Sequence, residues 1–320
     1  MKKLVSVFIL VIIIGSGFAQ TVKVNGALKV VGTKLVNEKG QPIILRGMSL
    51  GWHNWWPRFY NAGAINWLQK DWGCTVIRAA IGVEPDSGYI KYPDWGMEKA
   101  KTAIDAAIKD GIYIIVDWHS HHIRQEEAKQ FFTKIAKEYG KYANIIYEIF
   151  NEPAENTWPE VKAYSIDLIK TIRAIDPDNV ILVGSPHWDQ DVHIVADDPI
   201  KGYKNLMYTL HYYADTHKQE LRDRGDYALK KGLPLFISEM GGMSHTGDGP
   251  INNPEWMKWI DWSEKNKISW VNWCVTDKKN VTCSVLEPTA SSTGPWSMND
   301  LPDWGKQTRS LIRKYNGLRP

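Results

Sequence analysis

Eight apolar segments, each followed by an amphipathic stretch, predict a closed (β/α)8 TIM barrel preceded by a β-hairpin. Three observations carry this. The segments LRGMSL, TVIRAAI, IYIIVDW, NIIYEIF, NVILVGS, LMYTLHYY, PLFISEM and SWVNWC are continuous rather than alternating, as strands covered on both faces must be. They recur at a spacing of roughly 30 residues, the size of one βα unit, and eight units in a row close a ring. No GxGxxG follows the first strand, so nothing supports a doubly wound sheet with a dinucleotide site, and no cofactor is expected.

The remaining elements follow in chain order. Lys2 and Lys3, the apolar run Leu4 to Ile14 and the small residues Gly17 and Ala19 form an export-signal pattern over 1–19. The run is too short to span a bilayer, and no stop-transfer pattern follows it. The mature chain, 20–320, is expected in the periplasm or outside the cell, with no membrane contact after cleavage, as one domain and a monomer. Residues 21–45 read as a hairpin, with Leu28–Val31 and Ile43–Leu45 flanking the turn residues Asn37-Glu38-Lys39-Gly40. GMEKAKTAIDAAIKDG and EEAKQFFTKIAKEYG have helical periodicity, and Asp110-Gly111 and Tyr139-Gly140 read as helix stops. Val281 to Trp304 is the longest irregular stretch and is expected to wall the mouth of the barrel. Cys74 reads as a core residue. Cys274 and Cys283 could pair in an oxidising compartment.

Composition narrows the partners. A net charge of +3 without a Lys/Arg cluster excludes a nucleic-acid surface. The 16 Trp and 14 Tyr are mostly packing residues, but tryptophan faces also stack on sugar rings. Chemistry-bearing residues fall at the C-terminal ends of strands, where barrels of this kind carry their active sites. Arg78 lies in the second strand and His119 ends the third. Asn151 and Glu152 follow the fourth, His211 and Tyr213 end the sixth, Glu239 ends the seventh and Trp273 the eighth. Two carboxyls at matching strand ends are the equipment for cleaving a glycosidic bond. His119, Ser120, His121 and His122 invite a metal reading, but consecutive side chains leaving a strand point in different directions, and neither HExxH nor CxxC is present.

In this order, VIRAAI, IIVDWH, IYEIFNEP, LHYYA, FISEMG and NWCVTDK resemble glycoside hydrolase family five of clan A, in particular its bacterial endo-β-1,4-glucanase group, over essentially the whole mature chain. The resemblance implies a retaining, endo-acting hydrolase of β-1,4-glucan. Glu152 would be the acid/base and Glu239 the nucleophile, supported by Arg78 and Tyr213. Asn151 would bind the sugar 2-hydroxyl, His211 would orient Glu152, and His119 would contact the sugar. Trp273 would stack beneath that sugar, Trp55 would line a subsite beyond the cleavage point, and Lys278 would bind substrate. Glu152 is expected to stay protonated because Glu239 carries charge nearby. Gly51 stands where many members have histidine, and Asn280 where an acidic residue is common. A β-mannanase or mixed-linkage glucanase on the same scaffold stays open, as does a non-catalytic glycan-binding barrel.

Overall fold

The computed structural model describes residues 21–84 and 86–319; the expected export segment, 1–19, lies outside the described residues. Eleven strands are present in the described chain: β1 (Lys29–Val31), β2 (Lys34–Val36), β3 (Arg46–Leu50), β4 (Val76–Gly82), β5 (Tyr113–His119), β6 (Ile145–Glu148), β7 (Val180–Val183), β8 (Leu206–Thr209), β9 (Tyr212–Tyr213), β10 (Leu235–Gly241) and β11 (Trp270–Val275). The order β11-β3-β4-β5-β6-β7-β8-β10 is parallel throughout, and β10 pairs with β11 to close the ring. This is the expected (β/α)8 barrel. Helices Pro93–Asp110, Gln125–Tyr139, Trp158–Arg173, Gln219–Lys230, Asn253–Asn266 and Asp303–Tyr315 surround it, with shorter helices at Ala62–Trp67 and Val192–Asp197.

Alternation along each strand sorts the barrel interior into layers. Val76, Tyr113, Ile115, Ile146, Leu182, Met207, Phe236 and Val271 point inward near the N-terminal ends and pack as one apolar cluster. Two residues further along, the inward positions become Arg78, Asp117, Glu148 and Ser238, all fully buried. The outward positions, such as Ile77, Ile114, Tyr147 and Ile181, join the helices in the larger core cluster. Helix ends follow local chemistry. Gly111 takes a left-handed φ of 69° and stops the helix that begins at Pro93. Gly140 ends the next helix differently, by close approach: a Cβ there would lie 2.6 Å from the Ala136 carbonyl oxygen.

Two expectations are corrected. The hairpin is shorter than the sequence suggests. β1 pairs with β2 across Gly32-Thr33, where Gly32 supplies a φ of 57°, and Asn37–Gly40 forms a second turn beyond β2. Residues Thr21–Asn25 are helical, not extended. Leu28 and Leu35 of the hairpin join the apolar inner cluster and plug the N-terminal mouth. The sixth strand, read as LMYTLHYY, is broken after Thr209. The Leu210 N–H bonds to the Phe236 carbonyl, but the His211 N–H turns to the Asp189 carbonyl, and pairing resumes only at β9.

Gly47 sits where β3 and β4 meet inside the ring. A Cβ on Gly47 would fall 1.7 Å from the Val76 carbonyl oxygen, a backbone atom that cannot give way without opening the ladder. Gly47→Ala is therefore expected to destabilise the barrel by about 3 kcal/mol or more, read as a lower urea midpoint; an unchanged midpoint would contradict this packing.

Candidate active site

At the C-terminal mouth the strands open into a cleft of about 580 Å³. His119, Glu152, His211, Tyr213, Glu239 and Trp273 line it together with Trp52, His121, His187 and Trp188. A slightly larger hollow of about 650 Å³ lies at the other mouth, between the hairpin and the starts of β7, β8 and β10. Its lining residues include Asp178 as the sole carboxylate, so the chemistry belongs to the cleft.

The site is built upward from Arg78. This guanidinium is wholly buried in β4. It donates from Nε to Glu148 (2.6 Å), from Nη1 to Glu239 (2.9 Å) and from Nη2 to the Asn151 side-chain oxygen (2.6 Å), and Nη2 also lies 2.9 Å from Asp117. Burial would loosen the proton of Arg78, but Asp117, Glu148 and Glu239 outweigh it and hold it more firmly than usual. Three carboxyls around one cation cannot all be charged cheaply. Asp117 yields: burial pushes it well above the ordinary carboxylate range despite Arg78. Its neighbour His119, 2.6 Å away, is driven toward the neutral form by burial and by Arg78.

A bulge in β10 makes the next layer possible. Between Ile237 and Met240 the pairing with β11 slips, three residues of β10 facing two of its partner. Both Ser238 and Glu239 thereby reach the interior. Glu239 accepts from the Tyr213 hydroxyl at 2.6 Å and from Arg78. Ser238 donates to Glu148 at 2.5 Å and lies 2.9 Å from His211 Nε2. With the serine proton committed to Glu148, His211 Nε2 must be the donor to Ser238, which turns Nδ1 to Glu152 Oε1 at 2.9 Å. The expected orienting role of His211 has this geometry. Asn151 keeps a buried side-chain N–H₂ with no partner among the described residues, aimed at no protein acceptor.

Glu152 carries a second imidazole, His121 Nε2, 3.2 Å from its other oxygen. The protonation pattern of the free site therefore runs against the sequence expectation. Burial raises Glu152, but the bonds from His121 and His211 outweigh it and hold Glu152 below its ordinary range. Burial would discharge His211, but Asp189, Glu148 and Glu152 raise it well above the ordinary imidazole range. Glu239 is raised, by burial first and the charge of Glu152 second. The expectation weighed the charge of the neighbouring carboxyl but not the effect of the two imidazoles on the proton of Glu152.

The cleft walls also differ in part from expectation. Trp273 lies parallel to His119, ring centroids 5.4 Å apart. Trp55 is half exposed and stacks on Trp52 at 4.8 Å, extending the wall rather than lining the deepest part. Lys278 is exposed and not in the cleft lining; its backbone N–H bonds to Ser284. Cys74 is buried in the core, as expected. Cys274 and Cys283 are buried free thiols on adjacent segments, joined by a backbone bond of 3.1 Å. Opposite Trp52, after β7, His187, Trp188 and Asp189 hold three successive left-handed conformations (φ 57°, 53° and 59°). Non-glycine residues pay about 1–3 kcal/mol each for such backbone, and here it turns two rings into the cleft. Asp189 is raised to about 8 by burial.

Glu152, His211 and Glu239 bring one ligand atom each within 4.8 Å of one another. With Arg78 placing a positive charge 2.9 Å from Glu239 and every carboxyl oxygen already bonded, the geometry suits proton transfer rather than a resident cation. Asp117, Glu148, Ser238, Trp52 and Trp188 escaped the sequence reading, and His121 enters it only within the histidine run His119–His122. Period-two alternation would have found Asp117, two residues before His119, and Glu148, two after Ile146. Nothing local marks the others.

Comparison with known proteins identifies the family. The family model described as Cellulase (glycosyl hydrolase family 5) matches residues 36–279. An endoglucanase of Clostridium saccharobutylicum is 42% identical over 93% of this chain and 67% of its own length. Endoglucanase 5 of Pectobacterium carotovorum is 41% identical over 92% of this chain and 59% of its own. The chain thus spans about three fifths to two thirds of such relatives. A solved structure from Cytophaga hutchinsonii superposes with a TM-score of 0.91 at 42% identity, covering 93% of this chain and 98% of the other. The Thermobifida fusca endoglucanase Cel5A catalytic domain, solved with cellotetraose, has a TM-score of 0.87 at 31% identity, covering 92% and 99%. With the family model, the relatives and the solved folds in agreement, the chain belongs to glycosyl hydrolase family 5, the cellulase family.

Proposed function

We propose that this protein is an endo-acting β-1,4-glucanase that cleaves with retention, through a covalent intermediate on Glu239. One observation carries the reading: carboxyl oxygens of Glu152 and Glu239 come within 4.8 Å of each other in an open cleft, the short separation that leaves no room for water between an acid and a nucleophile. In the first step Glu239 attacks the anomeric carbon. The bond to the leaving oxygen breaks, and that oxygen takes a proton from Glu152. In the second, water attacks the same carbon, gives its proton to Glu152, and the electron pair returns to Glu239 as carboxylate.

The proton for the first step rests in the free protein on the imidazole side of the Glu152–His211 bond. A sugar that displaces water from the cleft disfavours this separated charge pair relative to the neutral one, which moves the proton onto Glu152. Arg78 and Tyr213 keep Glu239 a fixed, aimed nucleophile. The free N–H₂ of Asn151 suits a hydroxyl on the reacting sugar, and the paired rings of Trp273 and His119 suit its apolar face. Trp52 and Trp55 follow the first barrel strand and Trp188 the fifth, so they stand on opposite sides of an eight-stranded ring. A glucan chain running between them would be cut internally. The export pattern at 1–19 fits an insoluble substrate outside the cell, and a single catalytic cleft with all its groups from one chain fits a monomer.

Glu239→Gln keeps shape and removes the nucleophilic charge. Reducing-sugar release from carboxymethylcellulose should fall by at least about 10³-fold, and retained activity would remove Glu239 from the reaction. A soluble panel of β-glucans, mannans and xyloglucan, with product analysis, should show internal cuts in β-1,4-glucan first. A preference for mannan would overturn the substrate class. For Arg78→Ala, the sequence alone suggests lost rate with intact folding, since it shows only a nucleophile to support. The structure adds Glu148 and Asp117 on the same guanidinium, so its removal strands buried acid groups. Stability should fall by about 3–5 kcal/mol along with activity. Thermal unfolding monitored by circular dichroism checks this; a Tm equal to that of the parent protein would refute the shared-cation arrangement.

A further inference from the structure

The cleft contains a titratable side chain that the reaction above does not require. His211 accounts for one oxygen of Glu152, and His121 occupies the other. The two imidazoles are placed very differently. His211 is 2% exposed at its side chain, and its second nitrogen is committed to Ser238. His121 is 32% exposed, its Nδ1 makes no hydrogen bond among the described residues, and its ring leans on Trp52, with centroids 5.8 Å apart. The loop beneath it is braced. Ser120 donates to Glu84 at 2.6 Å, the His122 N–H bonds back to Ser120, and Arg124 approaches Glu84 at 3.3 Å. A surface histidine on a free loop would have no such support.

We propose that His121 is a positioning residue for the acid/base carboxyl: its Nε2 holds Glu152 Oε2 while His211 holds Oε1, fixing the plane of the carboxyl and favouring its ionised form. The proposal rests on the reading of Glu152 as acid/base. With both oxygens gripped, the carboxyl cannot rotate about its terminal bond, so its proton is presented to the leaving oxygen in one direction. The charge effect follows from the groups that face His121. Glu152 faces it from the segment after β6, Glu239 from β10 and Glu84 from the segment after β4; His119 faces it from its own strand, 6.2 Å between rings. Arg124, on its own loop, is turned to Glu84. Burial disfavours the charged form of His121, but the bond to Glu152 and the charges of Glu152, Glu239 and Glu84 outweigh it, and the neutral His119 does not oppose them. An imidazolium at Oε2 makes Glu152 surrender its proton at lower pH than it otherwise would. His121 therefore sets how far into alkaline solution the acid remains usable.

The sign is fixed. Without the charge of His121, Glu152 keeps its proton to higher pH, so the alkaline limb of kcat/KM must move upward. Two variants separate charge from position. His121→Gln keeps an N–H at a similar reach without charge, and His121→Ala removes both. On cellotetraose, whose leaving oxygen needs a proton, kcat/KM should fall about tenfold in the Ala variant and recover most of that loss in the Gln variant. On dinitrophenyl β-cellobioside, whose leaving group departs unprotonated, kcat/KM should stay within about twofold in both. The alkaline limb should rise by about half a pH unit or more in both variants. An unmoved limb, or equal losses on the two substrates, would overturn the proposal and leave His121 a wall residue. Glu152→Ala in the same assays tests the underlying reading separately. It should lose cellotetraose activity selectively and regain turnover of the activated substrate with azide. If it fails to do so, the acid/base assignment fails; if it behaves so while the His121 variants do not, only the present proposal fails.

Discussion

One buried cation organises the site. Arg78 stands wholly buried inside the barrel with three acid side chains and an amide oxygen within 2.9 Å. A charge so far from solvent persists only when its partners are close and well aimed. Four strands must therefore hold their inward residues at a common height: β4 for Arg78, β5 for Asp117, β6 for Glu148 and β10 for Glu239. The constraint is mutual. The acids need the cation to remain in the interior, and the excess of acid over base is relieved by leaving a proton on Asp117.

From this layer, order passes upward through hydrogen bonds of known direction. Glu148 receives the serine proton, which makes Ser238 an acceptor for His211 and turns the second nitrogen of His211 to Glu152. Each link limits the next to one arrangement. The β10 bulge allows one strand to serve both branches, Ser238 on the side of His211 and Glu152, and Glu239 on the side of Arg78 and Tyr213. Without the extra residue, strict alternation would turn one of them out into the helix layer. The two glutamates therefore differ in environment although they share a cavity: one rests against a guanidinium and a phenol, the other against two imidazoles. That difference is what the proposed reaction asks of two identical functional groups with opposite chemical parts.

The mouths of the barrel divide the work. At the N-terminal end, Leu28 and Leu35 of the hairpin seal an apolar plug that carries no chemistry. At the other end, backbone irregularity collects: the broken sixth strand, the β10 bulge and the left-handed turn at His187–Asp189. The first two aim His211, Tyr213 and Glu239 into the cleft, and the third brings Trp188 to the side of the cleft opposite Trp52. The regular part of the sheet supplies the rigidity against which this strained backbone is held.

Burial on both faces, the βα period and the placement of polar residues at strand ends could be read along the chain. They yielded the barrel, its eight strands within a few residues, the cleft residues His119, Glu152, His211, Tyr213, Glu239 and Trp273, and Arg78 and Asn151 buried beneath them. These are legible because strand conformation and burial leave a local pattern. Lys278 lies outside the cleft lining, and a loop residue's direction has no periodicity to betray it. The break at Leu210–His211 was hidden because both halves of that segment are equally apolar. What only the tertiary structure decided is the balance of charge. Glu148 and Glu239 lie 70 and 161 positions from Arg78, and His121 lies 31 from Glu152. Coulomb energy and hydrogen bonding depend on separation in space, so the side chain that keeps a proton, and the imidazole that takes hold of Glu152, are settled only when the ring closes.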